Sequence, residues 1–334
     1  MKDIAFQAGV SLATVDRVLH GRAGVRAGTQ ARVVAAIGEL ERQYAAAGLS
    51  GRKFAIDVVM EAPRRFAQAV QQAFEAELPA VRPAAFSARF HVAERMAVDD
   101  LAAVLAAIRR RGSHGIVLKV PARDETVQLA QKVLAAGIPV VTYVTDLPVE
   151  ARQAYLGMDN QAAGQSAAWL IGHMLGARDC AVLLVLSSAR FMGEEARAQG
   201  FRAALAEHFP GLRVVVVSEG MGVDRSTYEL VAAALVADPK IEAVYSIGGG
   251  NRAILRAFDE CGRRCRAFAA HDLDAKNREL LHKRHISFVL HHDLRQDARA
   301  ACQFFLRAHG MLPGDYEIPP SAIGIATPFS LAGP

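Results

Sequence analysis

The chain is poor in cysteine: Cys180, Cys261, Cys265 and Cys302 are all it has in 334 residues, too few for a disulfide scaffold. Cys261 and Cys265 would make half a metal site, but no second pair or histidine follows at zinc spacing. Reduced structural thiols in a cytoplasmic protein, with no metal and no cofactor, are the expectation. No apolar run approaches the roughly 20 residues that a membrane span requires. No basic segment followed by an apolar core opens the sequence, so neither a membrane partner nor secretion is expected. Catalytic motifs are missing as well. There is no G-x-S-x-G elbow and no P-loop, and the GGGN at 248–251 lacks phosphate-binding spacing. Without a nucleophile–base pair or a metal cluster, an α/β enzyme is disfavoured. Beyond Pro313 there are no leucine heptads for a tetramerising helix.

An apolar content of 52% beside 22% charged residues places the chain among globular rather than disordered proteins. Its length allows two or three domains with real cores. The net charge of +5 is unevenly spread. Residues 1–53 hold eight Lys/Arg against four acids, so the head carries +4 and the remaining 281 residues +1. A basic head on a nearly neutral body is what phosphate binding by one small module requires.

That head reads as a helix from Lys2 to Ala8, a turn at Gly9, and a second helix capped by Ser11. The second helix carries Leu12, Ala13, Thr14, Asp16 and Arg17 outward and leaves Val15, Val18 and Leu19 for the core. Gly-punctuated residues 20–29 bring Arg22 and Arg26, and a third helix is predicted from a Thr29 cap to about Tyr44. Its Val33, Ile37, Leu40 and Tyr44 share one face. Periodicity alone leaves an ordinary amphipathic helix pair as an equal alternative to a DNA reader.

The string A-G-V-S-x-A-T-V-x-R-V-L at 8–19 resembles the DNA-binding headpiece of the LacI/GalR family of transcription regulators. The resemblance implies a double-stranded DNA operator as partner. Ser11, Arg22 and Arg32 would meet phosphates, and Leu12, Ala13, Thr14, Asp16 and Arg17 the base edges. Family members continue with a Pro-Asn turn and a hinge helix that wedges a leucine pair into the minor groove. Here AAAGLSGRK follows Tyr44, leaving Leu49 as the candidate wedge and a flexible linker as the alternative. The family's capping Thr before the first helix has no room after Met1. Either the cap is missing or the start codon lies upstream.

From Phe54 the pattern alternates between apolar strands and amphipathic helices, as in parallel α/β units. IPVVTYVTDLP, YLGMDNQAAGQSAAWLI, EEARAQGFRAAL, VYSIGGGNRAILRAF and AHDLD resemble the effector domain of the same family, which shares its fold with ribose-type periplasmic sugar-binding proteins. The expected fold is an all-α helix-turn-helix headpiece followed by a two-lobed α/β domain of two Rossmann-like parallel sheets. The expected boundaries are a headpiece at 1–45, a linker at 46–53 and an effector domain at 54–330. Lobe one would take 54–156 and 287–316, and lobe two 157–286 and 317–330.

Ligands of such sheets bind beyond the C-terminal strand ends, here between lobes. Asp146 and Asp159, with Asn160 beside it, stand at a lobe crossing. Asn251 follows the GGG turn, and His292 and Asp293 end the last returning strand. The resemblance points Arg197 and Asp272 at sugar hydroxyls. Strand-end acids also cap helices, Arg197 reads equally as a solvated helix charge, and His292 as a wall residue. Arg64, Arg65 and Phe66 after Pro63, with Arg123 after Pro121, occupy the lip of the first lobe. Those arginines favour an anionic ligand or serve rim solubility. The expected function is a dimeric, ligand-responsive DNA-binding regulator, a repressor by family default, answering to a sugar, polyol or sugar acid. The alternative is a sugar-binding protein whose head no longer reads DNA.

Overall fold

The computed structural model describes residues 1–49, 52–81, 84–188, 190–312, 314 and 317–331. The head consists of α1 (Lys2–Ala8), α2 (Leu12–Leu19) and α3 (Ala27–Leu49). Gly9 turns the chain with φ 61°, a left-handed conformation that costs glycine little. The Ser11 hydroxyl accepts the Thr14 N–H at 3.2 Å and caps α2. Ala5, Ala8, Val15, Val33 and Ala36 form a small core. Leu19, assigned to that core from its spacing, is 46% exposed. α3 begins at Ala27, so Thr29 lies inside the helix rather than capping it. The helix also runs on to Leu49, through the first half of the segment read as linker. An Ala45–Ala47 run favours helix enough to carry it past Gly48, whose cost is about 1 kcal/mol. Residues 50 and 51 of that linker, and the Leu49 side chain, lie outside the described part.

Lobe one alternates β1 (Lys53–Glu61), α4 (Arg64–Glu77), β2 (Ala85–Ala93), α5 (Val98–Arg111), β3 (Ile116–Lys119), α6 (Asp124–Ala135) and β4 (Val140–Tyr143), then adds β5 (Ala154–Leu156). The sheet runs β2-β1-β3-β4-β5 with every pairing parallel. Ile56, Val58, Val117 and Val141 are fully shielded, because helices cover both faces. The short strand β5 was not anticipated.

Lobe two follows with α7 (Asn160–Leu175), β6 (Cys180–Val185), α8 (Met192–His208), β7 (Leu212–Val217), α9 (Asp224–Ala237), β8 (Ile241–Ser246), α10 (Asn251–Glu260), β9 (Ala267–His271), α11 (Ala275–His282) and β10 (Phe288–His291). β11 (Gly324–Ala326) closes the sheet antiparallel to β10, in the order β11-β10-β9-β8-β6-β7. Between them, α12 (Leu294–Ala308) crosses back, setting Ala298, Ala301, Cys302 and Phe305 into the core of lobe one beside Ile56 and Val58. The crossing expected near Ser287 therefore falls after β10, at residues 291–294. β10 reads as apolar whichever sheet it joins, so its pattern carries no lobe assignment.

The segments that cross between the lobes meet at Gly157 and Met158, at His292 and at Ser321. Met158 bridges to Ser321, and Ser321 N–H donates to the Gly157 carbonyl at 2.9 Å. The Ser321 hydroxyl donates to Asp297 Oδ1 at 2.5 Å, and His292 Nδ1 lies 2.5 Å from Asp297 Oδ2. This His–Asp–Ser set, with His292 and Asp297 buried and Ser321 half-buried, ties two of the crossings to the start of α12.

Candidate functional site

A space between the lobes is walled by Phe66, Lys119 and Thr145 of lobe one and by Phe191, Glu194, Arg197 and Asp272 of lobe two. Its volume is about 50 Å³, room for a few waters. The lobes are drawn together around it. Gly193 N–H donates to Thr145 Oγ1 at 3.2 Å, Ala122 N–H donates to the Arg190 carbonyl at 3.3 Å, and Arg65 Nε lies 2.9 Å from Asp274 Oδ2. On one side the space continues into a recess of about 430 Å³ that shares Phe66 and Asp272 and adds His292, Asp293 and Arg278. That size suits a small-molecule ligand.

Arg197 is 3% exposed and held by helix packing. Gly164 of α7 faces its backbone so closely that an added Cβ would stand 2.0 Å from the Arg197 carbonyl oxygen. Arg197 Nε donates to Asn160 Oδ1 at 2.7 Å, while Nη2 is buried without a partner among the described residues. Asp272 follows β9 with φ 68°, and its buried Oδ1 is likewise unsatisfied. Asn277 Nδ2 donates to the carbonyls of His271 and Asp272 at 2.9 and 2.7 Å, fixing that strained turn. His292 Nε2, on the wall of the adjoining recess, is also buried and unsatisfied. Lone buried donors and acceptors around one space are what a hydrogen-bonding ligand would complete.

Charge in the space is mixed. The Lys119 ammonium donates to the Glu61 carbonyl at 3.2 Å and stands 4.4 Å from the centre of the Phe191 ring. Burial pulls its pKa below the ordinary lysine value, against the pull of Glu194 and Asp272. Glu194 accepts the Ser187 N–H at 2.8 Å and the Ser187 hydroxyl at 2.5 Å. Burial nevertheless pushes its carboxyl up. Asp274 caps α11 through the Asn277 N–H, and burial raises its pKa too, against that bond and Arg65.

Of the residues read from sequence, Phe66, Arg197, Asp272 and His292 meet here. Asp146 does not: Arg152 grips it at 2.6 and 2.7 Å, and the Thr142 hydroxyl and the Leu147 N–H also donate to it. Asp159 is the exposed cap of α7, accepting the Ala162 N–H. Asn251 is buried between the Ser246 hydroxyl and Asn277, off the cavity wall. Arg123 lines a separate recess at the lip with Phe191 and Arg190, and Arg64 stands on the outer mouth. Lys119, Glu194, Phe191, Thr145 and Asp274 were missed. A lysine at the end of the apolar strand GIVLK, and a glutamate one helical turn before Arg197, were the available signals.

In the head, Leu12, Ala13 and Arg17 are exposed along α2, and Thr14 is partly covered by the Ser11 hydroxyl at 2.9 Å. Asp16 is engaged by Arg22 at 2.9 Å and lies 3.1 Å from His20, which offsets its repulsion for phosphate but occupies Arg22. Arg32 is exposed on α3. Phe6, 89% exposed on α1, was not singled out by the sequence.

A helix-turn-helix head followed by a two-lobed clamp with its site between the lobes defines a DNA-reading module coupled to a periplasmic-binding-type domain. Residues 56–308 match the family described as periplasmic binding protein domain, and residues 1–43 match bacterial regulatory proteins, lacI family. The chain belongs to the periplasmic-binding-protein domain family and, with its head, is a lacI-family regulatory protein rather than an enzyme. Among curated proteins none matches its sequence. Solved structures share the fold of the clamp. A glucose-galactose binding protein from Geobacillus stearothermophilus has a TM-score of 0.74 at 17% identity, over 84% of this chain and 99% of that one. A carbohydrate transporter from Acidothermus cellulolyticus in complex with myo-inositol gives 0.71 at 16%, over 83% and 95%. A solute binding protein from Agrobacterium vitis with bound D-fucose gives 0.70 at 18%, over 82% and 95%. No helix among the described residues is long and apolar enough to cross a membrane.

Proposed function

We propose that the chain is a homodimeric repressor whose operator affinity is set by a sugar-like effector bound between the lobes. The observation that carries this reading is the pairing of unsatisfied, buried Arg197 Nη2 and Asp272 Oδ1 around one interlobe space. A donor and an acceptor at such a site match neighbouring hydroxyls, which accept from one and donate to the other. Phe66 and Phe191 offer apolar surface to the C–H face of a sugar ring. The ligands named for the similar clamps are sugars or a polyol, which supports the same class here. Because the space is smaller than a sugar ring needs, binding requires the lobes to part. That motion would be transmitted through the crossings to α3 and the head. Two heads would read a near-palindromic operator, with Arg17 and Leu12 towards the bases and Ser11 and Arg32 towards phosphates.

Calorimetry with neutral sugars, polyols and sugar acids, and gel shifts on genomic fragments with and without them, test the reading. Arg197→Ala is expected to weaken effector binding about 10- to 100-fold while leaving DNA binding without effector intact. Arg17→Ala is expected to do the reverse and to lower the salt slope of DNA binding. A monomer by sedimentation, or an operator complex indifferent to every ligand that binds the cleft, would contradict the proposal.

A further inference from the structure

Beside Pro63 and Arg65 the interlobe space opens into a second, outer recess of about 700 Å³. Its cations come from both lobes: Arg64, Arg65 and Arg95 from lobe one, Arg225 and Lys276 from lobe two, against Glu94 and Asp224. Arg65 is paired with Asp274, and Arg225 with Glu229. Arg64, Arg95 and Lys276 make no ion pair among the described residues. The placement of these charges is unusual. Arg64 and Arg65 open α4, whose first turn has no acid and no side-chain cap. Arg225 and Lys276 are the second residues of α9 and α11. Each therefore sits where the helix dipole disfavours a cation. Solubility alone is served better by cations at helix C-termini. A negative group in the recess would meet the side chains and the helix ends together, turning an unfavourable arrangement into a favourable one.

We infer that the effector carries an anionic group, a phosphate ester or carboxylate, which lies in this outer recess against Arg64, Arg95 and Lys276 and so spans both lobes. The inference rests on the sugar-like reading of the inner space and adds to it a charged end. Arg197 and Asp272 hold the hydroxylated body, and the three outer cations select the acid or phosphate form over the neutral parent.

Two measurements on the full chain test it, with the triple variant R64Q/R95Q/K276Q as comparison. In the first, inorganic phosphate is the probe. The Tm of the wild-type protein is expected to rise in phosphate above its value in chloride of equal ionic strength, and the triple variant to lose most of that rise. An equal rise in both proteins, as binding at the DNA-reading head would give, overturns the inference, and so does no rise. In the second, calorimetry compares neutral sugars and polyols with their phosphate esters and their acids. One charged form is expected to bind about tenfold or more tightly than its neutral parent, and the triple variant to bring the two within about twofold while holding the neutral parent unchanged. Which charged series gains identifies the group as phosphate or carboxylate. Neutral ligands that bind with no gain from charge overturn the inference alone. Binding by neither form overturns the sugar-like reading with it, even where the phosphate measurement succeeds at the outer recess.

Discussion

Glu194 sits where its charged form is poorly solvated: Ser187 supplies hydrogen bonds to the carboxylate, and the charges of Lys119 and Arg197 favour ionisation less than burial opposes it. Burial raises its pKa, so the folded state holds its proton to higher pH than the unfolded chain does. Stability contributed by that proton is full below the ordinary carboxylate range and is lost as pH rises through the raised folded value. Glu194→Gln is therefore expected to raise Tm by about 2–4 °C at neutral pH, with the gain shrinking towards pH 4. Thermal melts of both proteins across that range check the sign. The same residue explains a limit of sequence reading. Arg197 and Asp272 were legible because a resemblance marked them. Asp146, Asp159 and Asn251 belong to the same residue types at similar strand ends, yet local groups consume their polar atoms. Whether a polar atom is left over is decided by how the neighbouring turn folds back on it, as Arg152 does on Asp146 and Ala162 on Asp159, and residue type alone does not show this.

The α7–α8 pair is the element on which the site depends. Gly164 admits α8 at the Arg197 carbonyl, and Gly200 admits α7, where an added Cβ would meet the Gln161 carbonyl oxygen at 2.2 Å. Both contacts are backbone, which cannot swing aside. Gly164→Val should cost about 2–4 kcal/mol in denaturant unfolding, and its effector affinity should fall even in the fraction that folds, because Arg197 moves with α8. A variant with wild-type stability and binding would mean that the helices part without consequence. At this scale most of the fold was readable. Buried parallel strands leave unbroken apolar runs, and amphipathic helices fall between them. What escaped was pairing: β10 gave no sign of its sheet, β5 was too short to register, and α3 ran on through an alanine-rich segment read as a linker.

For the whole molecule, the His292–Asp297–Ser321 set fastens two of the segments that cross between the lobes to the start of α12. Asp297 is 1% exposed, so Asp297→Ala would strand the buried His292 Nδ1 without its partner and release the half-buried Ser321 hydroxyl. A loss of about 2–4 kcal/mol is expected. X-ray scattering should then show a broader spread of lobe separations and a weaker response of that spread to effector. Unchanged stability with unchanged scattering would mean that this fastening does not hold the crossings.

The return of α12 to lobe one also bears on how the chain is made. Ala298, Ala301, Cys302 and Phe305 complete a core begun by Ile56 and Val58, so that core stays open until α12 (Leu294–Ala308), far along the chain from β1 (Lys53–Glu61), has left the ribosome. The strands of lobe two from β6 to β10, by contrast, are continuous in sequence and can pair as they emerge. The DNA-reading head, with its own small core at the very start, is finished first. A nascent chain would thus present a folded DNA reader before the clamp that governs it has closed.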